Sequence, residues 1–140
     1  MAAEVFLDTA YAVALSVEAD DLHIQALNLA DQLEADGTRL VTTRAVLLEI
    51  GNALSKRYYR GVAASLLLLL EADPNVEILP LSEELYARAL QLYNTRSDKE
   101  WGLVDCVSFI VMLDRGIQDA LTSDKHFLQA GFRALLRDGS

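Results

Sequence analysis

Four carboxylates occupy places where metal-assisted chemistry can be done. Asp8 closes the segment EVFLD and Asp124 closes ALTSD, each just past a short run of strand character. Strand ends are also where Asp caps a following helix, so neither residue is diagnostic alone. Glu49 and Asp105 lie instead on predicted helices. Counting about 100° per residue, Glu49 falls about 60° from Val46, at the border of the apolar stripe Val46, Ile50, Ala53 and Leu54. The helix LVDCVSFIVMLDRG is apolar almost all round, and its narrow polar strip carries Asp105 and Ser108 one turn apart. A helix of that kind is enclosed, which puts Asp105 in a depression. A buried carboxylate needs an ion-pair partner such as Arg, a proton or a metal.

If these acids converge, they repel. Two unit charges ~4 Å apart cost about 4 kcal/mol at an effective dielectric of ~20. Such a cluster calls for cations, and oxygen-only ligands favour Mg²⁺ or Mn²⁺ over Zn²⁺. A two-ion site of this type suits phosphodiester cleavage, activating a water and stabilising the leaving oxygen. Competing chemistries lack their residues. There is no GxxxxGK[ST] or GxGxxG loop, and Asp8-Thr9-Ala10 lacks the second Asp of an aspartyl-phosphate phosphatase. His23 and His126 read as isolated, outside any metal-ligand spacing, and Cys106 reads as core. Ser108 and Ser123 have no His partner nearby for a hydrolase triad. Asp98 and Glu100, in the polar loop NTRSDKEWG, read as solvated.

The elements that must position these residues alternate. Strands are expected at 4–8, 38–43, 76–81 and 118–124, with a possible last one at 132–136. Helices are expected at 9–17, 20–37, 44–59, 61–73, 82–93, 103–116 and 125–131. Thr43 is the N-cap of the third helix, and Gly37, Pro74 and Gly116 are helix stops. This alternation predicts an α/β fold with a mainly parallel, doubly wound sheet of four to five strands, and sites at the carboxyl ends of its strands. The length of 140 residues fits one domain, taken as 1–140, with 52% hydrophobic residues and neither repeat nor linker.

Charge and cysteine bound the rest. The net charge is -9, and residues 1–38 carry eight acids with no Lys or Arg. Such a chain is no general scavenger of nucleic acid, whose binding is largely electrostatic. One Cys makes no internal disulfide, and no positively charged segment precedes the first apolar run, so a reducing, cytoplasmic setting is expected. The apolar stretch at 62–70 is about half the length of a membrane span. Residues 39–60 invert the sign: Arg39, Arg44, Lys56, Arg57 and Arg60 stand against Glu49 alone. Lys56, Arg57 and Arg60, with Tyr58 and Tyr59 among them, are expected at the end of the Glu49 helix. With Arg44, Arg96 and Lys99, they are candidates for holding phosphates beside the acidic groove. A helix C-terminus attracts cations for dipole reasons as well.

FLDTAYAVAL, LLEIGNAL, DKEWGLVDCVSFIVM and ALTSDKHFLQAGF together resemble the successive motifs of PIN-domain endoribonucleases. The resemblance is greatest to the toxins of VapBC-type toxin–antitoxin pairs and runs from about residue 4 to 136. It implies a three-layer α/β/α fold, Mg²⁺- or Mn²⁺-dependent RNA cleavage leaving a 5′-phosphate and a 3′-hydroxyl, a homodimer, and an antitoxin bound over the groove. Residue by residue, it implies Asp8 and Asp105 as principal metal ligands, Asp124 as a second or weaker one, and Glu49 as the helix acid completing the catalytic set. Thr9, Ser108 and Ser123 match positions that support the metal site. Two alternatives stay open at this level: a catalytically silent RNA- or protein-binding module, and a housekeeping nuclease without an antitoxin. The Leu-rich helix at 62–72 is either core or part of a two-fold interface.

Overall fold

The computed structural model describes residues 3–137. The chain opens with strand β1 (Glu4–Leu7), whose Val5, Phe6 and Leu7 are buried. Helices α1 (Thr9–Ser16) and α2 (His23–Asp36) lead to β2 (Arg39–Thr43). Then come α3 (Arg44–Ala53), α4 (Arg60–Ala72) and β3 (Val76–Leu79). The return half comprises α5 (Glu83–Thr95), α6 (Leu103–Arg115), β4 (Asp119–Leu121), α7 (Lys125–Gln129) and β5 (Arg133–Ala134). The five strands pair in the order β3-β2-β1-β4-β5, every pairing parallel.

That order determines where a site can form. The chain walks outward from β1 to β3, then returns to place β4 on the other side of β1. Right-handed crossovers put the helices of the outward path on one face and those of the return on the other, giving three layers. The reversal lies between β1 and β4, so their carboxyl ends flank the crevice in which doubly wound sheets bind ligands. Asp8 follows β1 there, and its backbone N–H donates to the Leu121 carbonyl at 3.3 Å. On the other side, the Thr42 hydroxyl of β2 donates to the last β1 carbonyl, Leu7, at 2.8 Å.

Local rules explain most boundaries. Thr43 caps α3 by accepting from the Val46 N–H, and Ser82 caps α5 by accepting from Leu85. The last turn of α6 ends on Gly116 at φ 67, a left-handed position that only Gly occupies cheaply. Asp20 and Asp21 precede α2 rather than belonging to it, with an Asp20 Oδ1 accepting from the Leu22 N–H.

The third helix is shorter than the sequence predicts. It stops at Ala53 with Leu54 at its C-cap, and not near residue 59. The reason is the loss of anything to bury: the next positions on its apolar stripe are Arg57 and Tyr58, and Tyr58 is 87% exposed. Lys56 and Arg57 therefore lie in the turn to α4, and Arg60 opens α4 instead of closing α3. The Arg60 guanidinium donates back to the Ser55 carbonyl at 3.1 Å. A C-terminal helix-dipole reason for the trio thus disappears for Arg60.

Helix α6 is the enclosed one, with Cys106 through Met112 all buried. Its Phe109 ring meets Trp101 and Phe127 edge-on, each at 5.0 Å between centroids, and Phe132 at 5.7 Å. One side chain thereby ties α6 to α7 and to the approach of β5. In α4, Ala63 and Leu70 are buried while Leu68 and Leu69 are 71% and 67% exposed. No helix among the described residues is long and apolar enough to cross a membrane.

Phe109→Ala should cost roughly 3–5 kcal/mol, the usual range for emptying a fully packed aromatic site. Urea unfolding with an unchanged slope should read this as a lowered midpoint. A loss below about 1 kcal/mol would mean that α6 and α7 are joined by something else.

Candidate metal centre

Asp8 occupies the N-cap position of α1 but makes no helix-capping hydrogen bond with its side chain. Its carboxylate turns into the crevice instead, where the Thr122 hydroxyl donates to Oδ2 at 2.7 Å. Capping, the competing role for an Asp at a strand end, is thus not what holds Asp8. For Asp124 the two roles coexist. Its Oδ1 accepts from the His126 N–H at 2.9 Å and caps α7, while its own N–H donates to the Thr122 hydroxyl at 3.1 Å. One threonine joins the ends of β1 and β4 through both acids.

Asp105 sits in the first turn of α6, where the helix dipole favours an anion. Its Oδ2 accepts from the Gly102 N–H at 3.1 Å and lies 3.2 Å from His126 Nδ1. That nitrogen is also 3.4 Å from Asp124 Oδ1. Among the described residues no Arg pairs with Asp105, so the ion-pair alternative gives way to a carboxylate pair bridged by an imidazole. Glu49, half-buried on α3, accepts a hydrogen bond from the Thr9 hydroxyl.

The electrostatics show that these groups share one site. Asp8 is only 4% exposed. Burial pushes its pKa from the ordinary 3.8 up to about 7. The Thr122 hydrogen bond opposes that rise, and the charges of Asp105 and Glu49 add to it. Asp105 is also raised, chiefly by burial and further by Asp124, while the Gly102 N–H and His126 pull it down. All four sequence-expected acids therefore fall within one electrostatic neighbourhood.

The supporting residues fare differently. Thr9 fixes Glu49. Ser108 is fully buried, and its hydroxyl donates to the Val104 carbonyl of its own helix at 3.1 Å. Ser123 is half-buried, and its carbonyl accepts from the Arg137 guanidinium at 3.3 Å. The hydroxyl that contacts the acids belongs to its neighbour Thr122, which the sequence pattern does not single out. His126 is the other such residue: isolated in sequence, it bridges Asp105 and Asp124 in space. The signal for both is local, a T-x-D-x-H run from the residue after β4 into the first turn of α7.

Asp105, Asp124 and His126 each offer a ligand atom, all within 4.8 Å of one another. Two carboxylates with an imidazole nitrogen, beside a buried Asp8 that resists ionisation, form a donor set that fits a divalent cation. The donors are not oxygen-only, as the four acids alone suggest, because His126 adds nitrogen.

Of the basic candidates, Arg44 pairs with Glu71 of α4 at the surface. Lys56, Arg57 and Arg60 are exposed in and after the α3–α4 turn. Arg96 forms a two-bond pair with Asp98 and lies 5.0 Å from the Trp101 ring centre, and Lys99 is 4.0 Å from Asp98.

A five-stranded parallel sheet with acids from β1, α3, α6 and the end of β4 is the arrangement of one nuclease-type α/β family, and the PIN-domain profile matches residues 5–133. The chain belongs to the PIN-domain family. Among its relatives is the 23S rRNA-specific endonuclease VapC20 of Mycobacterium tuberculosis, from strains CDC 1551 / Oshkosh and ATCC 25618 / H37Rv. Each is 31% identical over 130 residues, covering 91% of this chain and 95% of the relative. The crystal structure of M. tuberculosis VapC20, a sarcin-ricin loop cleaving toxin, superposes with a TM-score of 0.80 at 27% identity, covering 91% and 95% of the two chains.

The raised Asp8 carboxyl sets a pH dependence. Folded Asp8 holds its proton more tightly than unfolded Asp8, so the native state binds more protons between about pH 4 and 7. Its stabilising share is full below about pH 4 and is lost as pH rises toward 7, on the order of 4 kcal/mol in all. In metal-free protein, the melting-temperature advantage of Asp8→Asn over the parent should therefore grow across that interval. A difference that stays flat with pH would show that Asp8 ionises freely.

Asp105→Asn should keep the Gly102 cap, relieve repulsion and melt at or above the parent without metal. Adding Mn²⁺ or Mg²⁺ should then raise its melting temperature far less than the parent's. An equal metal-induced rise would remove Asp105 from the ligand set.

Proposed function

We propose that this protein is a Mg²⁺- or Mn²⁺-dependent endoribonuclease of the VapC toxin type, working in the cytoplasm as one PIN-like domain and neutralised by a cognate antitoxin. The observation that carries the reading is the buried Asp8, kept from ionising by desolvation and by the charges of Asp105 and Glu49. A site so charged is unfavourable for a fold that has no use for a cation. The 23S rRNA specificity of the relatives supports a structured ribosomal RNA loop as the substrate.

Asp8 and Asp105 would hold the principal ion and Asp124 a second or weaker one. Such an ion polarises a phosphate and lowers the pKa of water, the two things that phosphodiester hydrolysis needs. The protein's own share is positional. Thr122 fixes the Asp8 and Asp124 ends of adjacent strands, and His126 keeps Asp105 and Asp124 from springing apart. Glu49, held by Thr9, would orient the attacking water and take its proton. In-line attack breaks the bond to the 3′ oxygen and leaves a 5′-phosphate and a 3′-hydroxyl.

Two surface features bear on partners. Leu68 and Leu69 leave an exposed apolar strip on α4, with Val62 one to two turns earlier, which supports self-association into a homodimer. The exposed trio Lys56, Arg57 and Arg60, beside Tyr58, supports RNA phosphate binding with base stacking at the α3–α4 turn, with Arg44 contributing once Glu71 releases it.

The decisive test is incubation of the protein with a 23S rRNA fragment carrying the sarcin-ricin loop, with and without EDTA. Metal-dependent cleavage within the loop, absent in Asp105→Asn, is the expected result, and a small upstream reading frame should encode a protein that abolishes it. RNA left intact under all metals would end the nuclease reading. Neutralising Lys56, Arg57 and Arg60 together should weaken RNA binding and reduce its salt slope by roughly two, at about 0.7 for each phosphate no longer neutralised. An unchanged slope would place the RNA path elsewhere.

A further inference from the structure

The end of α5 and the polar loop that follows it border an open pocket of about 640 Å³, within the size range of ligand pockets. Tyr93, Asn94, Ser97, Lys99 and Trp101 line it together with Gly102, the residue whose N–H holds Asp105. The cavity is therefore one hydrogen bond away from Asp105 of the candidate metal centre. We propose that it is a nucleobase subsite, taking an unpaired base next to the scissile phosphate. The proposal rests on the ribonuclease reading and adds to it a determinant of RNA sequence.

The chemistry of the walls favours a nucleotide over a simple anion. Tyr93 is an aromatic ring 47% exposed at the mouth, free to stack, whereas the Trp101 ring is committed. Phe109 meets Trp101 edge-on, the Arg96 guanidinium lies over its ring, and its Nε1–H donates to Gln129 Oε1 at 3.0 Å. Trp101 is thus a rigid wall tied to α7, the helix that carries His126. Asn94 and Ser97 offer both donors and acceptors to a base edge. Lys99 and the Glu100 carboxylate nearly cancel in charge, which suits a neutral base with one phosphate near the ammonium. RNA reading in general targets unstacked bases by stacking and edge hydrogen bonds.

The test uses the full-length protein and short RNA hairpins presenting the sarcin-ricin loop, with an abasic site placed in turn on either side of the cleavage point. Trp101, the only Trp of the chain, reports cavity occupation through its emission. The abasic substitution should raise the parent's KM about tenfold, in line with the removal of one stacked base, and leave kcat nearly unchanged. Tyr93→Ala should raise KM on intact RNA similarly and be indifferent to the abasic site, while Tyr93→Phe restores the parent's behaviour. Lys99→Gln should flatten the salt dependence by about one neutralised phosphate. Parental KM and parental Trp101 response in both Tyr93→Ala and Lys99→Gln would overturn the subsite. If the parent cleaves RNA without perturbing Trp101 emission, the subsite alone fails. If the parent neither cleaves RNA nor changes emission, the ribonuclease reading fails and takes the subsite with it.

Discussion

Like-charge crowding at the reversal of strand order is the constraint around which this fold is arranged. Four carboxylates from four separate elements meet where β1 and β4 end, and among the described residues none has an Arg or Lys as a direct partner. Repulsion of a few kcal/mol per close pair has to be met by a proton, an imidazole or a cation. Without metal the protein uses the first two. Asp8 keeps its proton to unusually high pH, and His126 stands between Asp105 and Asp124 where a cation would otherwise be needed. The same groups that relieve the strain are therefore those that a bound cation would rearrange.

Crowding of this kind is tolerable only on a stiff frame. Helix α6 supplies it by burying seven successive residues, Cys106 to Met112, so that Asp105 in its first turn cannot retreat into solvent. Thr42 and Thr122 do the equivalent work at the sheet: their hydroxyls tie the end of β1 to both neighbouring strands. Stability is thus drawn from an apolar helix and two buried hydroxyls, and the site is free to be electrostatically unfavourable. An acidic site next to a well-packed core is consistent with function taking precedence over local stability.

Much of this is legible in the sequence because it rests on short-range rules. Alternating β-branched runs and helical stripes give the strand order its raw material, and Asp8, Glu49, Asp105 and Asp124 announce themselves by their position on those elements. What is not legible depends on direction and on distant partners. The choice between Ser123 and Thr122 is a matter of which residue just past β4 meets Asp8 just past β1, and this depends on the pairing of Leu7 with Leu121. His126 looks isolated because its partners lie 21 residues away in Asp105 and across the first turn of α7. Ser108 shares a polar strip with Asp105, yet its hydroxyl is consumed by the i−4 carbonyl, the usual fate of Ser in an apolar helix. The early end of α3 comes from the absence of an apolar residue to continue its stripe.

The remaining tension is that RNA, a polyanion, must approach an acidic protein at its most acidic point. The structure resolves it by segregation. In the outward half, Lys56, Arg57 and Arg60 are exposed in and after the α3–α4 turn, and Arg44 is paired with Glu71 at the surface. In the return half, Arg96 and Lys99 sit in the loop that leads into α6, held by Asp98 and Trp101. Lys56, Arg57 and Arg60 follow the helix that carries Glu49, whereas Arg96 and Lys99 precede the helix that carries Asp105 and are balanced in their loop by Asp98 and Glu100. A strand of RNA would meet attraction at the α3–α4 turn, while the phosphate beside the site would face the carboxylates. At physiological ionic strength the screening length is about 8 Å, so the flanking attraction acts locally and the net charge of -9 matters little at contact. Net charge therefore governs how the protein behaves in bulk solution, while the placement of a few cations governs what it can hold.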